Sequence, residues 1–214
     1  MTTGSWQDAA LVLAERDEVI KRLVDETGLP EVRPPEGSHF GALVQAITYQ
    51  QLAGPAARAI HGRLIAAMGG SAEPERLLAL SEDQLRQAGL SGAKAASLRD
   101  LAAKVVDGTV VLDPAGLAAE SDEDVVARLS SVRGIGRWTA EMFLMFQLHR
   151  LDVWPTGDLG VRKGFGLAWH IATPTPKQLE PLGEPYRPYR SVLAWYCWRA
   201  AELYGTATAS AVTR

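Results

Sequence analysis

The sequence predicts an all-α protein built as two helical lobes with a central cleft. Apolar residues recur at three- and four-residue spacing through most segments, and no segment alternates apolar and polar residues as a half-buried strand would. Gly and Pro pairs punctuate these segments at short intervals. Composition agrees: 47% of the 214 residues are hydrophobic but only 7% aromatic, with Ala and Leu frequent, as suits helix-rich folds. A chain of this length can bury roughly 70% of its unfolded surface, enough for one substantial core or two small lobes.

Taken in order, residues 6–27 carry Leu11, Leu13, Val19, Ile20, Leu23 and Val24 between charged residues, the pattern of a single amphipathic helix. A Pro-rich break at 28–37 follows. Residues 38–52 are helical, with a stripe of Phe40, Leu43, Val44, Ile47 and Leu52, and they end at Gly54-Pro55, which starts a helix over 56–68. Short helices are expected at 74–79 and 82–88. A Gly-containing turn then opens a long helix over 93–106, with Lys94 a candidate phosphate contact. Residues 110–117, with Pro114, read as a connector, and the acidic run 121–124 starts a helix that ends near Ser130. Paired Pro residues near 174 and 185 bracket one short helix, and 186–204 closes the chain as a Trp- and Tyr-rich helix.

Residues 129–166 organise the rest. Val132, Arg133, Gly134, Ile135 and Gly136 join two helical runs, so two glycines sit where a tight turn opens a helix. Glycine permits positive φ and close approach to the main chain. The new helix offers unpaired N–H donors and the positive end of its dipole, which suits a phosphate. A tight corner between helices with no ligand is the other reading of the same residues. After the helix at 137–148, a loop ends in Pro155, Gly157 and Asp158. A helix of about a dozen residues carries the chain about 18 Å away, and a loop of about nine can span about 30 Å, so Asp158 can return beside the hairpin. Asp158 stands at the N-cap position of the next helix, where a carboxylate accepts backbone N–H bonds and is kept ionised. Capping alone would also account for it.

The run V-x-G-I-G-x-W-T-A over 132–140 is followed about twenty residues later by P-x-x-D at 155–158, and then by P-Y-R-S-x-x-A-W-Y-x-W at 188–198. Together these resemble the HhH-GPD superfamily of DNA glycosylases, and most of all its 3-methyladenine DNA glycosylase II branch. The resemblance covers about residues 40–204. It implies one glycosylase unit of two lobes, about 1–40 with 165–214 and about 41–164, and a double-stranded DNA partner carrying a damaged base. It implies excision of alkylated purines such as 3-methyladenine and 7-methylguanine in base excision repair, with Asp158 as the catalytic carboxylate. Trp138, Trp198, Met142 and Tyr49 would line the base pocket. Gln51, with Leu52 the alternative, would fill the gap left by the extruded base; His61, Arg133, Gly134, Ile135, Gly136, Arg137, Thr139 and Lys163 would contact DNA.

Three departures narrow the expectation. Trp138 stands where members that also cut the backbone carry a lysine, so no Schiff-base nucleophile is expected. Met142 stands where some relatives place a pocket tyrosine, and the segment before Gly28 is too short for the extra N-terminal domain of longer bacterial enzymes. The one cysteine, Cys197, excludes an intramolecular disulfide and a four-thiolate cluster, and it is expected to be buried and inert. No cofactor is expected, although the carbonyls of Ser130, Val132 and Ile135 match positions that hold a monovalent cation, Na+ or K+, in the family's hairpin.

A net charge of −3 and a pI near 5.8 are not a nucleic-acid binder's signature, but the distribution is uneven. From Ser131 onward ten Lys/Arg face six Asp/Glu, net +4, which leaves −7 for residues 1–130. Such a basic face permits a small phosphate footprint. No apolar run approaches the roughly twenty residues of a membrane span, and the N-terminus lacks the basic start and apolar core of a signal peptide. A cytoplasmic, nucleoid-associated monomer is therefore expected, with no membrane partner. The other readings are a non-catalytic helix-hairpin-helix DNA-binding protein, which would keep the hairpin and be indifferent to Asp158, and a helical scaffold unrelated to DNA, which only the acidic pI favours.

Overall fold

A computed structural model describes residues 5–211, with side chains described through residue 205. The described residues form thirteen α-helices, one short 3-10 helix and no strand. They group into two compact units, residues 5–34 with 144–211 and residues 35–143. The boundaries drawn from sequence were about 40 and about 164.

The unit at 35–143 begins with α3 (His39–Tyr49), whose N-cap Ser38 accepts the Gly41 N–H and whose Phe40, Leu43, Val44 and Ile47 are buried. Each such side chain contributes about 1.5–3 kcal/mol on burial. Next come α4 (Gly54–Ala67), with Pro in its first turn, α5 (Pro74–Ala79) and α6 (Glu82–Gln87), the last started by a Ser81–Gln84 capping box. The long α7 (Gly92–Val106), capped by Ser91, buries Leu98, Leu101 and Ala102. Arg99 ties it to the carbonyls of Leu78 and Leu80. The expected connector at 110–117 is in part a helix, α8 (Pro114–Ala119). Asp113 caps it through the Gly116 N–H, and Pro114 sits where its missing N–H costs nothing. α9 (Asp122–Ser130) leads through the hairpin into α10 (Arg137–Phe146), within which the chain passes from one unit to the other.

The other unit corrects two helices. Residues 6–27 form α1 (Trp6–Arg16) and α2 (Glu18–Thr27), divided at Asp17. Asp17 is extended (φ −144°), and its carboxylate accepts the Val19 and Ile20 N–H groups at 2.7 and 3.1 Å. A buried Tyr186 hydroxyl donates to its other oxygen at 2.5 Å. The last helix, α13 (Arg190–Ala211), starts four residues later than expected. Pro188 disfavours helical backbone at Arg187, which is extended after a 3-10 turn at Glu184–Tyr186.

Between them, α11 (Leu159–Ala168) and α12 (Pro176–Leu182) complete the unit. α11 packs on α13 with the backbones in near contact. A Cβ at Gly164 would lie 1.6 Å from the Cys197 carbonyl oxygen. Asp152 joins the same assembly, its carboxylate bound by Arg187 and Arg190.

Candidate active site and nucleic-acid interface

The hairpin lies between α9 and α10 in the unit at 35–143. Its turn is closed by Val132 N–H to Leu129 O and Ile135 N–H to Val132 O, both at 3.0 Å. Gly134 has φ +78°, and a Cβ there would meet Ser97 Oγ at 2.5 Å, so both conformation and packing require glycine. Gly136 differs: a Cβ there would meet nothing within 4 Å, which leaves open space at the start of α10. Val132 and Ile135 are buried while Arg133, Gly134 and Gly136 are exposed, so the turn presents main chain outward. α7 fixes it from behind. Asp100 accepts the Arg133 N–H at 2.7 Å, and Lys104 donates to both Asp100 and the Ser131 carbonyl. The Arg133 N–H, with Lys104 assisting, holds the Asp100 carboxyl below its ordinary range.

Three of the residues expected to contact DNA have protein partners or are enclosed to different degrees. The Arg137 guanidinium pairs with Glu123 at 2.7 Å and Glu141 at 3.4 Å, lowering the Glu123 pKa and raising its own. Thr139 is buried. His61 is half-buried, its ring edge-on to Tyr49 at 6.0 Å and its Nε2 enclosed without a partner, and burial lowers its pKa.

The turn after α3 carries the expected plug. Gln51 is exposed in the left-handed region (φ 56°), a conformation unusual outside glycine, and Leu52 beside it is 39% exposed. Lys94, the candidate phosphate contact on α7, is engaged within the protein. Its ammonium donates to the carbonyls of Thr48 and Gln50, and burial lowers its pKa. Gln50, at the same helix end, turns instead to the hairpin: its side-chain amide donates to Gly134 O at 2.9 Å.

The carboxylate belongs to the other unit. The P-x-x-D motif is a turn in which the Asp158 N–H donates to Pro155 O at 2.9 Å. Asp158 then caps α11, its Oδ1 accepting the Val161 N–H at 2.8 Å, and the same oxygen accepts the Trp198 indole N–H at 3.0 Å. Glycine at 160 permits this, since a Cβ there would stand 2.9 Å from the indole. Trp198 packs at 6.0 Å against Phe146, which stacks at 6.1 Å on Trp6.

Residues 44–188 match the HhH-GPD superfamily of base excision DNA repair proteins. The chain belongs to this superfamily. It is 34% identical to DNA-3-methyladenine glycosylase 1 of Schizosaccharomyces pombe, over 93% of this chain and 89% of that protein. The solved DNA-3-methyladenine glycosidase of Bacillus halodurans superposes with a TM-score of 0.83 at 33% identity, over 92% of this chain and 91% of that one. The S. pombe 3-methyladenine DNA glycosylase, solved in complex with abasic DNA, gives 0.76 at 32%, over 91% and 97%. Family and enzyme class, a DNA glycosylase of base excision repair, are those the motifs imply.

Within this HhH-GPD chain the remaining predicted residues are distributed as follows. Trp138 is 51% exposed near the start of α10, and Met142, one turn on, is half-buried. Tyr49 is half-buried, and Lys163 is exposed on α11. Cys197 is fully buried, its thiol pushed well above the ordinary range by burial and then by the Asp158 charge. Neutral carbonyl oxygens such as those of Ser130, Val132 and Ile135 suit a hard cation. The Val132 oxygen already accepts one N–H and keeps a second lone pair, while Lys104 sets a resident positive charge on the Ser131 carbonyl between them. Phe146 and Trp6 carried no motif that marked them. Gly160 and Gly164, one helical turn apart directly after Asp158, were a legible sign of close helix packing.

Proposed function

We propose that this HhH-GPD protein is a monofunctional DNA glycosylase that flips and excises alkylated purines, 3-methyladenine and 7-methylguanine among them, from double-stranded DNA. It acts as a monomer on nucleoid DNA in the cytoplasm. The observation that carries the reading is the double hold on Asp158 Oδ1, by the Val161 N–H and the Trp198 indole N–H. A cap needs the first bond only; the second turns the carboxylate into a preorganised charge.

Breaking the N-glycosidic bond sends the electron pair to the base and leaves positive charge on the sugar, which a fixed carboxylate stabilises. Water then adds at the sugar carbon and releases a proton. An alkylated purine already carries positive charge and leaves neutral, so it needs no general acid. Reaching the bond requires the base to leave the stack. Gln51 fills the gap, and Trp138 offers the exposed aromatic face on which a cationic base gains cation–π attraction. Phosphate is taken by the hairpin N–H groups and the exposed Arg133 and Lys163. With tryptophan at 138 in place of a lysine, no covalent Schiff base forms and the strand is left uncut.

The test is release of alkylated, deaminated and oxidised bases from duplex oligonucleotides. Excision of 7-methylguanine should exceed that of guanine by orders of magnitude. Preference for uracil or 8-oxoguanine would overturn the assignment of the pocket.

A further inference from the structure

Four polar residues recur along α7 at spacings of three, three and four: Lys94, Ser97, Asp100 and Lys104. They share one face of the helix, and every one of them engages either the hairpin or the turn that carries Gln51. Lys94 Nζ donates to the carbonyls of Thr48 at 2.5 Å and Gln50 at 2.7 Å. These carbonyls lie at the C-terminal end of α3, where main-chain acceptors lack helical partners and the dipole favours a cation. Ser97 backs Gly134, Asp100 holds the Arg133 N–H, and Lys104 holds the Ser131 carbonyl. Gln50 closes the circuit. Its backbone is held by Lys94 while its side-chain amide donates to Gly134 O, the glycine at the crown of the hairpin.

Between these restraints sits Gln51 in left-handed backbone, which a non-glycine residue holds only when its surroundings over-determine it. We propose that Lys94 and Gln50 are positioning residues that couple phosphate capture at the hairpin to insertion of Gln51 into the base stack. The proposal rests on the glycosylase reading above. A phosphate seated on the hairpin N–H groups bears on the Gly134 peptide, and the Gln50 amide passes that displacement to the plug turn. Lys94 keeps the turn from relaxing in the other direction. Neither residue touches DNA or the reacting atoms.

Single-turnover release of 7-methylguanine is compared on a duplex pairing the lesion with cytosine and on one opposing it with thymine, for Lys94→Met, Gln50→Leu, Gln51→Ala and Lys94→Arg. Lys94→Met and Gln50→Leu should each slow the paired substrate about tenfold more than the mismatched one, because the unstacking cost is full only when the base is paired. Affinity for undamaged duplex should stay within about twofold of wild type, since phosphate contacts are untouched. Lys94→Arg, whose fork also reaches two carbonyls, should restore most of the loss. Equal losses on both substrates, or losses that track a fall in Tm, would overturn the coupling and leave Lys94 a structural clamp. If Gln51→Ala shows the pairing dependence and the other two do not, the coupling is wrong and the plug stands. If Gln51→Ala shows none, the plug falls and the coupling with it. If wild type releases no 7-methylguanine, the function reading fails, and fluorescence of a paired 2-aminopurine on protein binding then decides the coupling without excision. A rise in wild type that Lys94→Met abolishes supports it, and an equal rise in both overturns it.

Discussion

Trp198 donates its indole N–H to Asp158 Oδ1 at 3.0 Å, and a glycine at 160 is what lets the ring lie close enough to do so. The tryptophan proposed for the base pocket and the carboxylate proposed for catalysis are thus joined across 40 residues of sequence. Capping and catalysis by Asp158 can be separated by substitution.

Asp158→Asn should abolish base release, lowering it on the order of 10²-fold or more, while Tm and affinity for undamaged duplex stay near wild type, because asparagine also caps well. Trp198→Phe keeps an aromatic wall but removes the second bond to Oδ1. It should lower kcat about tenfold and change KM little. Near-normal excision by Asp158→Asn, at an unshifted Tm, would reduce Asp158 to a cap.

Gly164→Ala and Gly160→Ala should fail in different ways. The Gly164 methyl would fall 1.6 Å from a backbone oxygen of α13, which cannot move alone, so the helix crossing must open. A loss of about 3 kcal/mol, or roughly 10 °C in Tm for a chain of this size, is expected in thermal melts. The Gly160 methyl meets side-chain atoms alone, the Trp198 indole at 2.9 Å and Asp158 Oδ1 at 3.0 Å. It should displace the indole and lower excision with a smaller fall in Tm.

Gly136→Ala tests the hairpin without disturbing it. The added methyl meets no protein atom within 4 Å, so the only expected stability cost is that of alanine before a helix, about 1 kcal/mol or less. If phosphate sits there, binding should weaken for every sequence alike, since phosphate contacts position without specifying. Unchanged affinity for undamaged duplex in a fluorescence titration would leave the hairpin a corner.

Tyr186 makes an alkaline prediction. Burial, and then its bond to the Asp17 carboxylate, push the phenol pKa well above the ordinary value of about 10. A folded-state pKa raised above the unfolded one gives stability that is full below about pH 10 and lost as pH rises beyond it. Tyr186→Phe should therefore cost about 2 kcal/mol at neutral pH, yet lose less than wild type between neutral pH and about pH 11. Parallel Tm-against-pH curves for the two proteins would show that the phenol does not titrate against folding.

What the sequence determined by itself was local. Ser38, Ser91, Ser121 and Asp158 each cap the helix that begins beside them, through a bond reaching only three residues along the chain. The apolar stripe of α3 and the positive φ at Gly134 are equally local, the one a matter of helical period and the other of a missing side chain. Tertiary structure decided the rest. The apolar period of 6–27 runs on through Asp17, whose local cap on Val19 and Ile20 is joined by a bond from a tyrosine 169 residues away. Lys94 reads as a basic residue at a glycine turn, and only the packing of α7 beside the end of α3 turns its ammonium onto two carbonyls. Gln50 and Gln51 are chemically identical neighbours, yet one amide is tied to Gly134 and the other residue stands exposed. A helical period says which face is buried but not which distant backbone that face will meet, so partners separated by 40 to 84 residues are set by how helices cross.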